Sequence, residues 1–199
     1  MEEIVKKITE IFLKFGIKSV TMDDIARDLC ISKKTLYQYF TDKKDVVVKS
    51  IEYSIKEQLC KIKNLVFEKR HNAIDILLIV SKELVDSQSK INPNINFDLQ
   101  KYYPEAWQIL VKYRQEHVFA NIKQNIERGI EEGYYRNDFN IDVISYLYMN
   151  HIENAYTTII EKSGLNIGEI IQTLFTYHLR GIASAKGLKY IDEQLKNKS

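Results

Sequence analysis

The stretch Ile31 to Lys44, ISKKTLYQYFTDKK, decides how the rest of the chain is read. Ser32 is a good N-cap, because its hydroxyl can accept from backbone N–H groups two or three residues on. Lys33 and Lys34 fill the first turn, where the helix dipole mildly disfavours cations. A sequence serving helix stability alone would place Asp or Glu there. Two lysines at that point imply an anionic partner, which the open N–H groups of the same turn also attract. Leu36 and Phe40, four residues apart, form the buried stripe of a very short helix. Thr35, Tyr37 and Gln38 face elsewhere, and Tyr39 stands at the rim. Thr41 or Asp42 caps the next helix, which starts with Lys43 and Lys44.

Solvated lysines on a short amphipathic helix would also account for this stretch by itself, since charge runs are usually solvated faces. The residues upstream shift the balance. Thr21 is the N-cap of a helix from Met22 to Leu29, and Asp24 stands where its carboxylate can reach back, a variant of the capping box. Ile25, Ala26 and Leu29 make its apolar face. Three residues, Cys30-Ile31-Ser32, separate the two short helices, the length of the turn in a helix-turn-helix unit whose second helix enters a major groove.

Phe15-Gly16, Val20-Thr21, Ile25-Ala26, Ile31-Ser32, Thr35-Leu36-Tyr37 and Tyr39-Phe40, followed by Asp42-Lys43-Lys44, together resemble the N-terminal DNA-binding domain of TetR-type transcriptional regulators. The resemblance covers roughly the first quarter of the chain. Two departures stand out: members often carry Gly at the turn position held by Cys30, and Gly where Lys34 stands. A non-glycine residue at φ > 0 costs roughly 1 kcal/mol, so Cys30 is either strained or part of a differently built turn. Lys34 alters which bases or phosphates are touched, so no operator specificity is carried over.

Composition sets the wider frame. The chain has 199 residues, 45% of them hydrophobic and 28% charged, with 7 Gly and 2 Pro. That fits one or two globular domains, and the scarcity of Gly and Pro points to helices throughout. Residues 1–64 hold 13 Lys/Arg against 10 Asp/Glu, and residues 65–199 hold 16 against 17. The excess is concentrated between Ile31 and Asn64, with 8 lysines against 4 acids, a modest basic patch. Cys30 and Cys60 lack CxxC spacing and read as reduced thiols of a cytosolic protein. The opening MEEIVKK does not read as a signal peptide. The longest apolar run, Ile76 to Val80, is far too short to span a membrane. A cytoplasmic location is expected.

Taken in order, residues 2–15 predict a first helix with Ile4, Ile8, Ile11, Phe12 and Phe15 inward and Gly16 ending it. A long helix from Asp42 to about Val66 turns Val46, Val47, Ile51, Ile55, Leu59 and Ile62 inward. Further helices are expected from Asn72 to Ser89, over Phe97 to Tyr102, from Pro104 to Glu132 with Pro at its first position, from Ile141 to Lys162, from Ile167 to about Lys186, and from Leu188 to Leu195. INPNIN (91–96) is a loop, and GYYRNDFN (133–140) a turn. Its EEGYYRND passage also resembles a connection in TetR-type proteins. The expected fold class is all-α: an N-terminal three-helix helix-turn-helix DNA-binding domain over 1–46 and a C-terminal helical ligand-binding and dimerisation domain over 47–199.

No enzyme is read from this sequence. The four histidines, His71, His117, His151 and His178, have no metal-ligand spacing, and neither GxSxG, Walker A nor GxGxxG occurs. No metal or cofactor is expected, and the pair Glu131-Glu132 reads as solvated charge. The second body is rich in aromatics. Any one of them is more simply bundle core, but as a group, with tyrosine hydroxyls needing partners, they suit a small-molecule pocket. Phe97, Tyr103, Trp107, Tyr113, Tyr148 and His151 are its candidate lining, with Glu153 and Asn154 as further polar groups. The resemblance implies an inducer bound in this domain. The last two long helices are apolar over more than one face, so each must bury two sides. A homodimer through these helices is expected, as the resemblance also implies.

The sequence therefore reads as a ligand-responsive regulator, in the resemblance's terms a repressor released from a palindromic operator by a small hydrophobic or aromatic inducer. Lys33, Lys34, Thr35 and Gln38 are candidates for base edges, with Ser32 at the helix cap. Thr21, Tyr37, Tyr39, Lys43 and Lys44 are candidates for phosphates. The alternative is a small-molecule-binding helical bundle without DNA-binding activity.

Overall fold

The computed structural model describes residues 1–67, 71–88, 91–154 and 166–196. Among these the regular elements are helices: α1 Glu2–Phe15, α2 Met22–Asp28, α3 Lys33–Tyr39, α4 Lys43–Phe67, α5 Ala73–Gln88, α6 Ile95–Tyr102, α7 Pro104–Tyr113, α8 Phe119–Glu131, α9 Ile141–Asn154, α10 Ile167–Ile182 and α11 Ala185–Lys196. An all-helical fold is what the composition and periodicity predict. The expected continuous helix from Pro104 to Glu132 is instead α7 and α8 joined by a π-helical turn, Arg114–Val118. The expected helix to Lys186 stops at Ile182, and α11 begins three residues earlier than read from sequence.

The chain forms two compact units, one of residues 1–63 with 90–114 and one of 64–89 with 115–199. The division expected at 46/47 is one of function; it falls inside α4, which is a single helix across that point.

In the first unit α1, α2, α3 and the start of α4 share a core built on Ile8, Phe12, Ile25, Leu36, Phe40, Val46 and Val47. Phe15, expected inward, is half-exposed beside the Lys14 ammonium group. Along α4, Val46 and Val47 are buried, and Ile51, Ile55 and Leu59 half-buried; the side chain of Ile62 lies outside those described. The same core takes in Ile95 and Leu99 of α6 and Ala106 of α7. Polar bonds fix that attachment. Asp98, nearly fully buried, accepts the Lys18 backbone N–H at 2.8 Å. Asn92 donates its backbone N–H to the Leu13 carbonyl at 2.7 Å. A carboxylate taken out of water needs such donors.

In the second unit α10 packs on α5 and α9, and α8 on α5 and α9. The passage after α8 closes this unit. Glu132 accepts the Ala73 N–H at 2.8 Å and the Arg128 Nε–H at 2.7 Å. Tyr135 donates to Asn125, whose own amide donates to the Ala73 carbonyl. Glu132 is thus a structural acceptor, unlike the solvated charge expected of it, while Glu131 is exposed. Backbone bonds from Arg136 N–H to the Ile182 carbonyl and from Ser184 N–H to the Tyr134 carbonyl break the helix between α10 and α11. Gly187 sits so close that a Cβ there would lie 2.1 Å from the Tyr134 carbonyl oxygen.

Tyr148 of α9 and His178 of α10 stack with ring centroids 3.7 Å apart and planes 11° from parallel, and Phe175 meets Tyr148 edge-on at 5.6 Å. Burial, with a smaller contribution from His151, pushes the His178 pKa down to about 4. Its Nε2 has no hydrogen-bond partner among the described residues.

Two tests follow from these contacts. Gly187→Ala should lower stability by about 1–3 kcal/mol, as overpacking against backbone does, read from the urea midpoint; an unchanged midpoint would mean that the corner yields freely. For His178 the folded pKa lies below the unfolded value of about 6.5. The unfolded chain therefore takes up a proton first, and stability falls as pH drops from about 6.5 toward 4. Between pH 7 and pH 5 the loss should approach 2 kcal/mol. His178→Gln should remove that part of the pH dependence, and equal dependence in both proteins would refute it.

Candidate nucleic-acid interface

The second short helix is positioned by three local devices. Thr21 and Asp24 form the reciprocal cap expected of them: the Asp24 N–H donates to Thr21 Oγ1 at 3.1 Å, and the Thr21 N–H to the Asp24 carboxylate at 2.9 Å. Cys30 then takes φ 55°. The Ile31 N–H returns to the Ala26 carbonyl and the Cys30 N–H to Arg27, the pattern in which a left-handed residue ends a helix. The strained alternative posed by the sequence is therefore the one adopted. Ser32 accepts the Thr35 N–H at 3.0 Å and opens α3.

With Leu36 and Phe40 fully buried, the rest of α3 is turned outward. Ser32, Lys33, Lys34, Tyr37, Gln38 and Tyr39 are exposed, and Thr35 is half-buried. Lys34 and Gln38 have no hydrogen-bond or ion-pair partner among the described residues, so both are available to a ligand. Lys33 pairs with Asp23 at 2.7 Å; this contact raises the Lys33 pKa, and a phosphate would have to compete with it. Both partners are well exposed, so the competition is mild.

Asp42 settles the choice of cap for α4: it accepts the Asp45 N–H at 2.9 Å, while Asp45 accepts from Thr41. Lys44 is exposed. Lys43 is half-buried, donates to the Lys18 carbonyl at 3.2 Å and lies 5.8 Å from the Tyr103 ring. Burial lowers its pKa. Lys49 joins the end of α3 to α4, donating to the Tyr39 carbonyl and pairing with Asp45 at 3.0 Å.

The candidate ligand residues are divided between the two units. Phe97, Tyr103, Trp107 and Tyr113 fall in the first unit, Tyr148 and His151 in the second. Phe97 is 49% exposed, Tyr103 and Trp107 half-buried, Tyr113 and Tyr148 buried, and His151 exposed. Burial raises the phenol pKa of Tyr103 and of Tyr113. The side chains of Glu153 and Asn154 lie outside those described. A cavity of about 20 Å³ lies between α1, α4 and α6, lined by Phe12, Ile17, Ser50 and Ile95 among others. It holds about one water, and none of the six candidates borders it. Sequence reasoning missed His178 as the partner of Tyr148, and missed Lys18 and Asp98. A contact across 80 residues leaves no local signal.

No group of three or more His, Cys, Asp or Glu able to hold a metal ion occurs among the described residues. Nor is any described helix long and apolar enough to cross a membrane.

Residues 4–49 match the profile of bacterial regulatory proteins of the tetR family. An uncharacterised helix-turn-helix-type transcriptional regulator of Bacillus subtilis, YvaF, is 25% identical over 170 residues, covering 83% of this chain and 87% of that protein. In fold the chain is similar to reduced NemR of E. coli, with a TM-score of 0.74 at 16% identity over 92% of this chain and 97% of the other. It is also similar to FadR of Bacillus subtilis, solved with stearoyl-CoA, with a TM-score of 0.64 at 13% identity over 90% and 98%. The matched segment spans α1, α2, α3 and the first turns of α4, the elements that hold the outward row of α3. By that match and that geometry, residues 4–49 form a helix-turn-helix domain of the kind found in bacterial regulatory proteins of the tetR family.

Proposed function

We propose that this regulator is a homodimeric, cytoplasmic repressor that leaves a palindromic operator when a small hydrophobic or aromatic inducer binds. The reading rests on the outward row of α3. Among the described residues Lys34 and Gln38 have no intramolecular partner, on a helix capped at its start and anchored by Leu36 and Phe40. Lys33, Lys34, Thr35 and Gln38 would read base edges. Thr21, Tyr37, Tyr39 and Lys44 would hold phosphates, with Ser32 fixing the cap between them. Lys43, turned toward Lys18, contributes less than Lys44.

Two-fold pairing supplies the second reading head. In a single chain α9 exposes Val143, Tyr146 and Leu147, and α10 exposes Tyr177 at 74%. Apolar surface of this kind on two adjacent helices supports a dimer through them. Ala155 to Lys162 of the expected face lie outside the described residues.

For the inducer, the lining proposed is Phe97, Tyr103, Trp107, Tyr113, Tyr148 and His151, joined by His178 through its stack on Tyr148. FadR, solved with an acyl-CoA, shares the fold, which supports a lipophilic ligand class. The ligand acts only through different affinities for two arrangements of the heads. The α4 helix, 25 residues in one piece, is the proposed lever. No catalytic step is proposed. A ligand-binding bundle without DNA-binding activity is the alternative, separated by salt-dependent binding to duplex DNA.

Lys44→Ala should weaken binding to every duplex and reduce the salt slope by about 0.9; an unchanged slope removes Lys44 from the phosphate contacts. Gln38→Ala should relax base preference at one position per half-site in a binding-site selection, with a loss of about 1–3 kcal/mol for the preferred base. Recovery of the wild-type preference would reject Gln38 as a reader. The protein should elute as a dimer at micromolar concentration, and Leu147→Asp combined with Tyr177→Asp should convert it to monomer with its helicity intact. A wild-type monomer would reject the pairing.

A further inference from the structure

The first unit carries more positive charge than the helix-turn-helix alone. Residues 1–63 with 90–114 contain 17 Lys/Arg against 12 Asp/Glu. Part of this charge is gathered around Tyr102, the last residue of α6. Lys18 Nζ donates to the Tyr102 hydroxyl at 2.9 Å and lies 4.6 Å from the ring centroid. Lys101 Nζ lies 5.5 Å from the same ring and 5.1 Å from that of Phe97. Lys43, from the first turn of α4, reaches the Lys18 carbonyl.

Neither Lys18 nor Lys101 forms an ion pair with a carboxylate among the described residues. The nearby acids are already engaged. Asp98 is buried and accepts the Lys18 backbone N–H. Asp24 caps α2 and pairs with Arg27. Two exposed ammonium groups over one phenol ring repel each other, and cation–π contacts at an exposed site offset this only in part. A polyanion would relieve the repulsion. The hydrogen bond from Lys43 joins this patch to the first turn of α4, beside Lys44, so the two are parts of one basic surface.

We propose that Lys18, Lys101 and Tyr102 form an accessory phosphate-binding surface, which extends the grip on duplex DNA from the helix-turn-helix to the flanking backbone and adds affinity without sequence preference. This rests on the DNA-binding reading above and adds a surface outside the helix-turn-helix motif.

The test uses the full chain and a random-sequence duplex of about 40 base pairs, with fluorescence anisotropy at several salt concentrations. Lys18→Gln combined with Lys101→Gln should reduce the salt slope by about 1.8 and weaken binding at 0.15 M salt by about thirtyfold; Lys101→Gln alone should give about half that change in slope. Both substitutions keep the Lys18 backbone bond to Asp98, and an unchanged thermal melt confirms the fold. Unchanged slope and affinity in the double variant, with Lys44→Ala still weakening binding, would overturn the accessory surface and leave the motif's role standing. Absence of salt-dependent binding by the wild type would remove the DNA-binding reading and this surface together. Loss of binding to phosphatidylglycerol vesicles by the double variant, with its DNA slope unchanged, would assign the patch to a membrane and overturn the proposal.

Discussion

Everything proposed for DNA depends on the burial of two side chains, Leu36 and Phe40. A helix of seven residues is far below the length at which helices persist in water, so α3 exists because its neighbours hold it. Leu36 and Phe40 enter the core formed by α1, α2 and α4. Their removal from water is worth a few kcal/mol at about 25 cal/mol per Å². That term sets the rotation of α3, and rotation decides which residues face out. With those two positions inside, Lys34, Tyr37 and Gln38 have nowhere to go but solvent. The caps at Ser32 and Thr21 set the ends, and the left-handed Cys30 sets the angle between the helices. Cys30 carries a cost that Gly would not, and the core burial is large enough to hold it.

The attachment of α6 changes what the reading head consists of. The buried carboxylate of Asp98 holds the connection between α1 and α2 by its backbone, independent of the side chain at position 18. Ile95 and Leu99 add apolar area to the same core. A three-helix head of 46 residues would be small for independent stability. With α6 and α7 packed on it, the unit gains core and gains a polar tie that cannot slide without stranding a buried charge. Movement of α6 would therefore be transmitted to the α1–α2 connection as well as along α4, which gives a ligand-induced change a second route to the head.

The local features were legible in the sequence because their causes are local. The Thr21–Asp24 box, the Ser32 cap and the Leu36–Phe40 stripe each depend on residues within five of one another, and the structure shows each of them, while the two alternatives left open for Cys30 were decided only by its φ of 55°. What was not legible was set by distant partners. Phe15 has the right spacing for the α1 stripe and yet stands half-exposed, because periodicity gives a face and not the extent of the neighbour that covers it. Glu132 reads as surface charge until the start of α5 is placed against it, when the Ala73 N–H becomes its partner. The break between α10 and α11 falls at Ala183 because the Arg136 N–H takes the Ile182 carbonyl and the Tyr134 carbonyl takes the Ser184 N–H, bonds that would have continued the helix. Ser184, which accepts the Gly187 N–H, caps the next helix locally, and the tertiary pairing fixes the break at that point.

The lysines of α3 differ in a way that charge counting does not reveal. Lys33 already has a partner in Asp23, so replacing that carboxylate by a phosphate exchanges one ion pair for another and releases little. Lys34 has no partner among the described residues, so a phosphate or a guanine edge would gain a new contact outright. The Asp23 carboxylate, left near the duplex once Lys33 turns away, would also repel the backbone. The two adjacent lysines should therefore differ in how much DNA affinity they carry, with Lys34 the larger. In the proposed complex Lys34, the less encumbered cation, would carry the larger electrostatic share of binding. Contacts to phosphates carry no sequence information, and discrimination then falls more heavily on Gln38, the exposed amide of α3, which can both donate to and accept from a base edge.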